Sequence, residues 1–257
     1  MDTTPFGHGL RQWRRIRGVS QLELAARAST TTRHVSYLET GRSRPSRGMV
    51  ERLGDALAIP LRERNRLLRM AGLAHVYPEG DLSSGDLEPF RRVIDRLLSS
   101  HEPFPALVLD RHWNAIQTNT PAERLLAWSD ERNLIRLTLG AWRPLTENWD
   151  EIISALEDRL VADLLRFPDD PTLIELHDAV RAEVGGRRSP TLPDSRVICP
   201  RFRFGEHVVR TVTVAAHFES TADVTLDETR VELIYAEDAE AERFFRGLDD
   251  GSIRFPN

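Results

Sequence analysis

The sequence predicts two folds in one chain: an all-α bundle of five short helices over residues 1–75, and an α+β domain, an antiparallel sheet with covering helices, over residues 88–257. Three observations carry this. Apolar residues recur at helical spacing through the first 75 residues, in runs cut by glycine or small polar residues. The periodicity lapses in "VYPEGDLSSGD", Val76–Asp86, where Pro78, Gly80 and Gly85 mark a linker over 76–87. β-Branched and aromatic stretches with partial alternation appear only beyond that break.

In the first part, Leu10, Trp13, Ile16 and Arg17 follow one stripe of a helix that Gly18 stops. Ser20 caps a second helix, and Glu23 three residues on completes a capping-box pattern, with Leu22, Ala25 and Ala26 expected inward. After the "STT" break, a third helix turns Val35 and Leu38 inward and ends at Gly41. Ser46 caps a fourth, with Val50, Leu53 and Leu57 inward. Pro60 opens a fifth, "PLRERNRLLRMAG", because proline is tolerated in a first helical turn.

Beyond the linker, "EPFRRVIDRLLSS" is an amphipathic helix. "PALVLDRHWNAIQTN" reads as two short strands around a turn at Arg111–His112, and "PAERLLAW" as a helix. "TENWDEIISALEDRLVADLLRF" and "DPTLIELHDAVRAEV" are helices split by "PDD", and "GGRRSPTLPDS" is a loop. "VICPRFRF", "HVVRTVTVAAHFE" and "TRVELIYAED" are strand candidates, followed by a terminal helix, "AEAERFF".

Composition narrows the class. With 40% hydrophobic and 29% charged residues the chain can bury a core within the ordinary soluble range. No apolar run approaches the ~18 residues of a membrane span, and "MDTTPFGHGLRQWRR" lacks the apolar stretch of a secretory signal. The single cysteine, Cys199, cannot build a disulfide framework and fits a reducing cytoplasm, the expected location. Every basic residue is arginine. Residues 1–75 hold 14 arginines against 6 acidic residues, and the remainder 21 against 34, so a net charge of -5 conceals a basic head on an acidic body. That split points to a polyanion-binding module joined to something else.

The second and third helices are joined by a very short polar turn. This is the helix-turn-helix arrangement, in which the second helix lies in the major groove of duplex DNA and the first crosses the backbone. With Val35 and Leu38 inward, Thr32, Arg33, Ser36 and Tyr37 take the outer face, with Thr31 before them and His34 at the rim. Arginine can hold guanine in a bidentate way, and threonine offers a hydroxyl plus a methyl for thymine. Gln21 opens the preceding helix, where backbone N–H groups favour a phosphate. Arg42, Ser43 and Arg44 of "GRSRP" follow the third helix on a loop suited to phosphate contacts.

The stretch "SQLELAARASTTTRHVSYLETGRSRPS" resembles the helix-turn-helix of Xre-type, phage-repressor-like regulators, over residues 6–72. Ser20-Gln21, Ala25 and Leu38-Glu39-x-Gly41 carry the resemblance. The usual glycine of the turn is here Ser29, which strains the backbone if that position needs a positive φ. The resemblance implies a phosphate contact for Gln21 and base contacts for Thr32, Arg33 and Tyr37. Glu39 is expected to serve the fold by pairing with Arg14. One such module covers about half a binding site, so a homodimer on double-stranded operator DNA is expected, with recognition helices ~34 Å apart and the body supplying part of the interface.

The body resembles the MmyB-like ligand-binding domain fused behind this kind of helix-turn-helix in bacterial regulators. "PALVLDRHWNAIQTN", "RNLIRLTL", "NWDEIISALEDRLVADLLRFPDDP" and "TADVTLDETRVELIYAEDA" carry that resemblance. It implies a PAS-like, five-stranded antiparallel sheet with helices over one face, enclosing an apolar cavity for a small apolar or acyl, fatty-acid-like molecule, with no cofactor. Ile116, Trp128, Leu134, Leu137, Phe202, Phe204, Val212, Val214 and Phe218 are candidates to line it, each with plain core packing as the alternative. Asn119, Arg136 and Arg210 are candidates to fix a carboxylate or amide. Trp128, Trp142 and Trp149 read as a seam between helices and sheet, with a lid over a ligand entrance as the alternative.

Enzyme signatures do not emerge. "GHG", Gly7–Gly9, lacks a preceding strand and a third glycine, so it is no dinucleotide fingerprint. There is no phosphate-binding loop, no zinc-protease motif and no nucleophile elbow. Cys199 fits a small buried hydrophobe, and His207 and His217 have no metal-ligand spacing. Two readings stay open beside a ligand-sensing regulator: a ligand-independent repressor or antitoxin-like module whose body serves dimerisation or protein partners, and an enzyme fused to a DNA-binding head.

Overall fold

The computed structural model describes residues 4–127, 129–185, 198–219 and 221–253, which leaves most of the expected loop "GGRRSPTLPDS" outside the described residues. The chain divides into two compact units. One is built on the residues up to Gly80, with short later segments ending at Phe167 and Asp227; the other holds the rest. No helix among the described residues is long and apolar enough to cross a membrane.

The first unit contains α1 (Pro5–Ile16), α2 (Gln21–Arg27), α3 (Thr32–Glu39), α4 (Arg47–Ala56) and α5 (Leu61–Met70). Four of these begin alike. The hydroxyls of Thr4, Ser20, Thr31 and Ser46 accept from the amides of Gly7, Glu23, His34 and Met49 at 3.1 to 3.3 Å, each cap contributing about 1 kcal/mol. The Ser20 box is half made, because the Glu23 carboxylate pairs with Arg27 one turn on. All five helices end alike too. In α1, Val19 N–H donates to Arg14 O and Gly18 N–H to Arg15 O, and the same pair of bonds recurs after α2, α3, α4 and α5. This termination needs a left-handed residue just past the cap.

Glycine takes that place after three helices, but Ser29 (φ +50°) and Ala58 (φ +46°) take it after α2 and α4. Ser29 therefore carries the strain that the missing turn glycine predicts. Ser29→Gly is expected to raise stability by about 0.5–1 kcal/mol, since relief of the left-handed penalty exceeds the added chain entropy. A melting midpoint equal to the parent's or lower counts against it.

The bundle core gathers Phe6, Leu10, Trp13, Leu24, Val35, Leu38, Val50, Leu53 and Leu68. The inward face of α2 differs from expectation. Leu24, Ala25 and Ala28 are buried, whereas Leu22 is 70% exposed and Ala26 is exposed. A seven-residue helix buries one narrow stripe, and Leu22 and Ala26 fall off it. The "GHG" stretch has a packing role: a Cβ on Gly7 would lie 2.6 Å from Glu39 O and 2.7 Å from Leu38 O, so α1 meets α3 backbone to backbone.

The second unit carries α6 (Glu88–Ser100), β1 (Ala106–Leu109), β2 (Ala115–Thr118), α7 (Thr120–Leu126), α8 (Leu134–Leu139), most of α9 (Trp149–Arg166), α10 (Pro171–Val184), β3 (Arg201–Phe204), β4 (His207–His217), β5 (Arg230–Ala236) and α12 (Ala239–Asp250); α11 (Val224–Asp227), which precedes β5 in the chain, belongs to the first unit. The sheet is five-stranded and antiparallel, in the order β2-β1-β5-β4-β3. Its first hairpin turns at Arg111–His112, where the Asp110 carboxylate accepts from the amides of His112 and Asn114, both at 2.9 Å. Trp113 leaves that turn with φ +69°.

Helices meet both faces of the sheet, unlike the one-faced arrangement that the resemblance implies. Ile94 and Leu98 of α6 pack on Ala106, Val108 and Val231. Side chains alternate along a strand. The register pairs Thr213 with Ile234 and Ala215 with Glu232, so these four point to the other face.

Candidate DNA interface and ligand cavity

Two sites emerge, one in each unit. In the first, α3 buries Val35, Leu38 and Glu39, leaving Arg33 exposed and Thr32, His34, Ser36 and Tyr37 partly exposed. Arg33 Nε donates to the Tyr37 hydroxyl at 2.8 Å. The same guanidinium lies 5.2 Å from the Tyr37 ring centroid, and that of Arg42 5.8 Å from it. Arg42 and Arg44 are exposed on the following loop, and Ser43 N–H donates to Tyr37 O at 3.2 Å. Thr31 stands at the start of α3 as its cap. The result is a cationic face with an aromatic centre, made of side chains that can reach bases and phosphates.

Behind that face lies a buried carboxylate. Glu39 is 0% exposed. It accepts from Arg14 Nε at 2.6 Å and Nη2 at 3.1 Å, from Gln21 Nε2 at 2.8 Å and from Arg11 Nε at 3.4 Å. Burial alone pushes its carboxyl up; the hydrogen bonds from Arg14 and Gln21, the Arg14 charge and the Arg11 bond outweigh this and hold it below the ordinary range. The Glu39–Arg14 pairing is the one the sequence predicts. Gln21 joins the network as well: its amide nitrogen donates to Glu39, which uses one of its two N–H donors. Arg11 was absent from the expected network.

In the second unit, a cavity of about 300 Å³ lies between the sheet and α7, α8, α9 and α12. Leu134, Phe202 and Phe204 stand in its wall with Trp113, Trp142, Leu156, Ile234 and Phe245. Trp142 meets Phe202 edge-on at 5.4 Å. From β4 the wall takes Val209, Thr211, Thr213 and Ala215.

Several expected wall residues lie elsewhere. Val214 is 47% exposed on the reverse face, and Val212 pairs with Tyr235 there. Ile116 is 49% exposed on β2. Phe218 stands edge-on to Phe90 and packs with the α6 core. Leu137 is buried outside the wall. Trp128 lies outside the described residues.

The polar anchors differ as well. Asn119 caps α7: its oxygen accepts from the Ala106 and Ala122 amides, and its nitrogen donates to Leu98 O and Phe104 O. All of its hydrogen-bonding capacity is thus spent on the fold. Arg136 pairs with Glu175 at 2.8 Å and Arg210 with Asp238 at 3.1 Å. Among the described lining residues the one cation is Arg159 and the one carboxylate Glu232, 4% exposed. They form a salt bridge with each other. Arg230 also reaches Glu232, at 3.3 Å. Both arginines stack on the Trp113 ring, at 4.3 and 4.0 Å from its centroid, and Trp113 Nε1 donates to Asp163 at 2.9 Å. These residues come from a turn, a helix and a strand; Arg159 with Asp163 and Arg230 with Glu232 are near neighbours on α9 and β5, but no spacing in the sequence brings the three elements together. The chamber is mostly apolar, and the one cation and the one carboxylate of its described wall are paired with each other.

No curated protein matches the chain. Residues 5–67 match the helix-turn-helix domain family, and residues 90–248 match the family described as the MmyB-like transcription regulator ligand binding domain. The second match spans more than half of the sequence and covers the cavity, the first covers α3 and its partners, and the chain therefore belongs to the MmyB-like transcription regulators, with a DNA-binding helix-turn-helix ahead of a ligand-binding domain.

Proposed function

We propose that this is a bacterial, cytoplasmic regulator that binds operator DNA as a homodimer of the Xre type. Its recognition helix is α3, and its PAS-like body senses a small apolar or acyl molecule. The observation that carries the DNA reading is the exposed Arg33–Tyr37–Arg42 cluster, on a helix whose opposite side is buried. Thr32, Arg33, Ser36 and Tyr37 face the bases, while His34, Arg42, Ser43 and Arg44 meet phosphates. Arg42→Ala is expected to weaken binding to all duplexes and to flatten the plot of log affinity against log salt by about one. An unchanged slope in titrations at several ionic strengths removes Arg42 from the phosphate contacts.

Arg159, although it pairs with Glu232, is the one cation of the described wall and so the place for a polar or acidic head, with the apolar wall taking the chain. Ala155 lines the cavity on α9, so Ala155→Trp is expected to fill it and to weaken ligand binding by about tenfold or more, the scale of an overpacked site. Mass spectrometry of extracts from the purified parent and variant tests this. If neither carries a small molecule, and both bind operator equally with or without added long-chain carboxylate, the body serves dimerisation or protein partners instead.

A further inference from the structure

The Arg33–Tyr37 pair restricts which base Arg33 can read. A guanidinium has one N–H on Nε and two on each terminal nitrogen. It can therefore offer a pair of donors from its side, Nε with one Nη, or from its end, Nη1 with Nη2. In Arg33 the Nε donor is held by the Tyr37 hydroxyl at 2.8 Å, which closes the side edge. The terminal nitrogens make no hydrogen bond among the described residues, which leaves the end edge open.

Tyr37 is itself well held. Its carbonyl accepts from Arg42 N–H at 2.8 Å and Ser43 N–H at 3.2 Å, and its ring is flanked by two guanidinium groups. The two residues sit one turn apart on the outward side of a helix whose buried residues are Val35, Leu38 and Glu39. In the major groove only guanine presents two adjacent acceptors, O6 and N7, to such a fork. Adenine opposes it with a donor at N6, cytosine with one at N4, and thymine offers one oxygen beside a methyl group.

We infer that Tyr37 is a positioning residue that presents the end of the Arg33 fork, so that each bound head requires a guanine at one position and the Tyr37 hydroxyl sets the stringency of that requirement. This rests on the reading of α3 as the recognition helix. It adds which base is read and which residue aims the reader.

The test uses the full chain. Duplexes are selected from a randomised pool with the parent, and affinities are then measured for the selected site and for the same site with the candidate guanine changed to adenine. For each protein, the ratio is read against that protein's own affinity for an unrelated duplex. The parent is expected to show one guanine per head whose replacement costs about tenfold or more. Tyr37→Phe keeps the ring but loses the hydroxyl, and is expected to lower the guanine-to-adenine ratio by about three- to tenfold. Arg33→Ala removes every side-chain donor, so its ratio is expected to fall to near one. Melting curves check that each variant is folded, and the alanine variant keeps the test decisive if the phenylalanine variant is not. Guanine preference that persists in Arg33→Ala, or a Tyr37→Phe ratio equal to or above the parent's, overturns the inference. Failure of the parent to bind any duplex overturns the reading of α3 itself, which is a separate result.

Discussion

Replacing Glu39 by alanine is expected to destabilise the helical head by about 3 kcal/mol, a large share of a typical domain stability of about 5–15 kcal/mol. The carboxylate is fully buried, and Arg14, mostly buried itself, spends two nitrogens on it. Removing Glu39 leaves the Arg14 charge without its counter-ion and strands Gln21 Nε2 as well. Chemical unfolding followed by circular dichroism reads the loss, and a change below about 1 kcal/mol contradicts the account.

The acid limb gives a second reading of the same network. The folded-state carboxyl of Glu39 lies below its unfolded value, which is about 4.3 for a free glutamate. Its contribution is therefore complete above that value and is lost as pH falls through the lower folded one. The stability gap between the parent and Glu39→Gln is thus expected to be widest near neutrality and to close at acid pH. A gap of constant size across that range shows that the pairing does not act through charge.

Arg33→Ala is expected to cost about 1–3 kcal/mol in binding to the selected operator and to relax discrimination at one base. The side chain is exposed and makes one hydrogen bond among the described residues, to Tyr37. Truncation should therefore leave the fold almost untouched, and the loss should appear in affinity alone. The expected signature differs from that of Arg42→Ala, which acts on every sequence through the phosphates. Equal affinity of mutant and parent for the operator retires Arg33 as a base reader.

The legibility of the two sites differs for a physical reason. The recognition helix is a local object. A cap at Thr31, apolar Val35 and Leu38 three residues apart, and a stop at Gly41 suffice to say which side faces out, and the structure exposes Arg33 on that side. Ser29 shows the same directness, its positive φ following from the termination that α2 requires. The cavity is a non-local object. Along β4 apolar residues occur on both parities: Val212 and Val214 on one, Val209 and Ala215 on the other. The wall takes the parity of Val209, Thr211, Thr213 and Ala215.

What the sequence determined alone is the five helices of the head with caps at Ser20 and Ser46 and stops at Gly18 and Gly41, the strands and most helices of the body, the basic head and the outward face of α3, because each depends on residues a few positions apart. What the tertiary structure decided is which face of β4 looks inward, that Arg159 and Glu232 meet over Trp113, and that Gln21 turns to Glu39. Pairing with β5 sets the first, since a shift of one residue exchanges the two faces of a strand. The other two depend on burial: a carboxylate withdrawn from water gathers whatever donors the fold brings within about 3 Å, and Gln21 stands 18 positions from Glu39 and Arg159 73 from Glu232, where no spacing rule reaches.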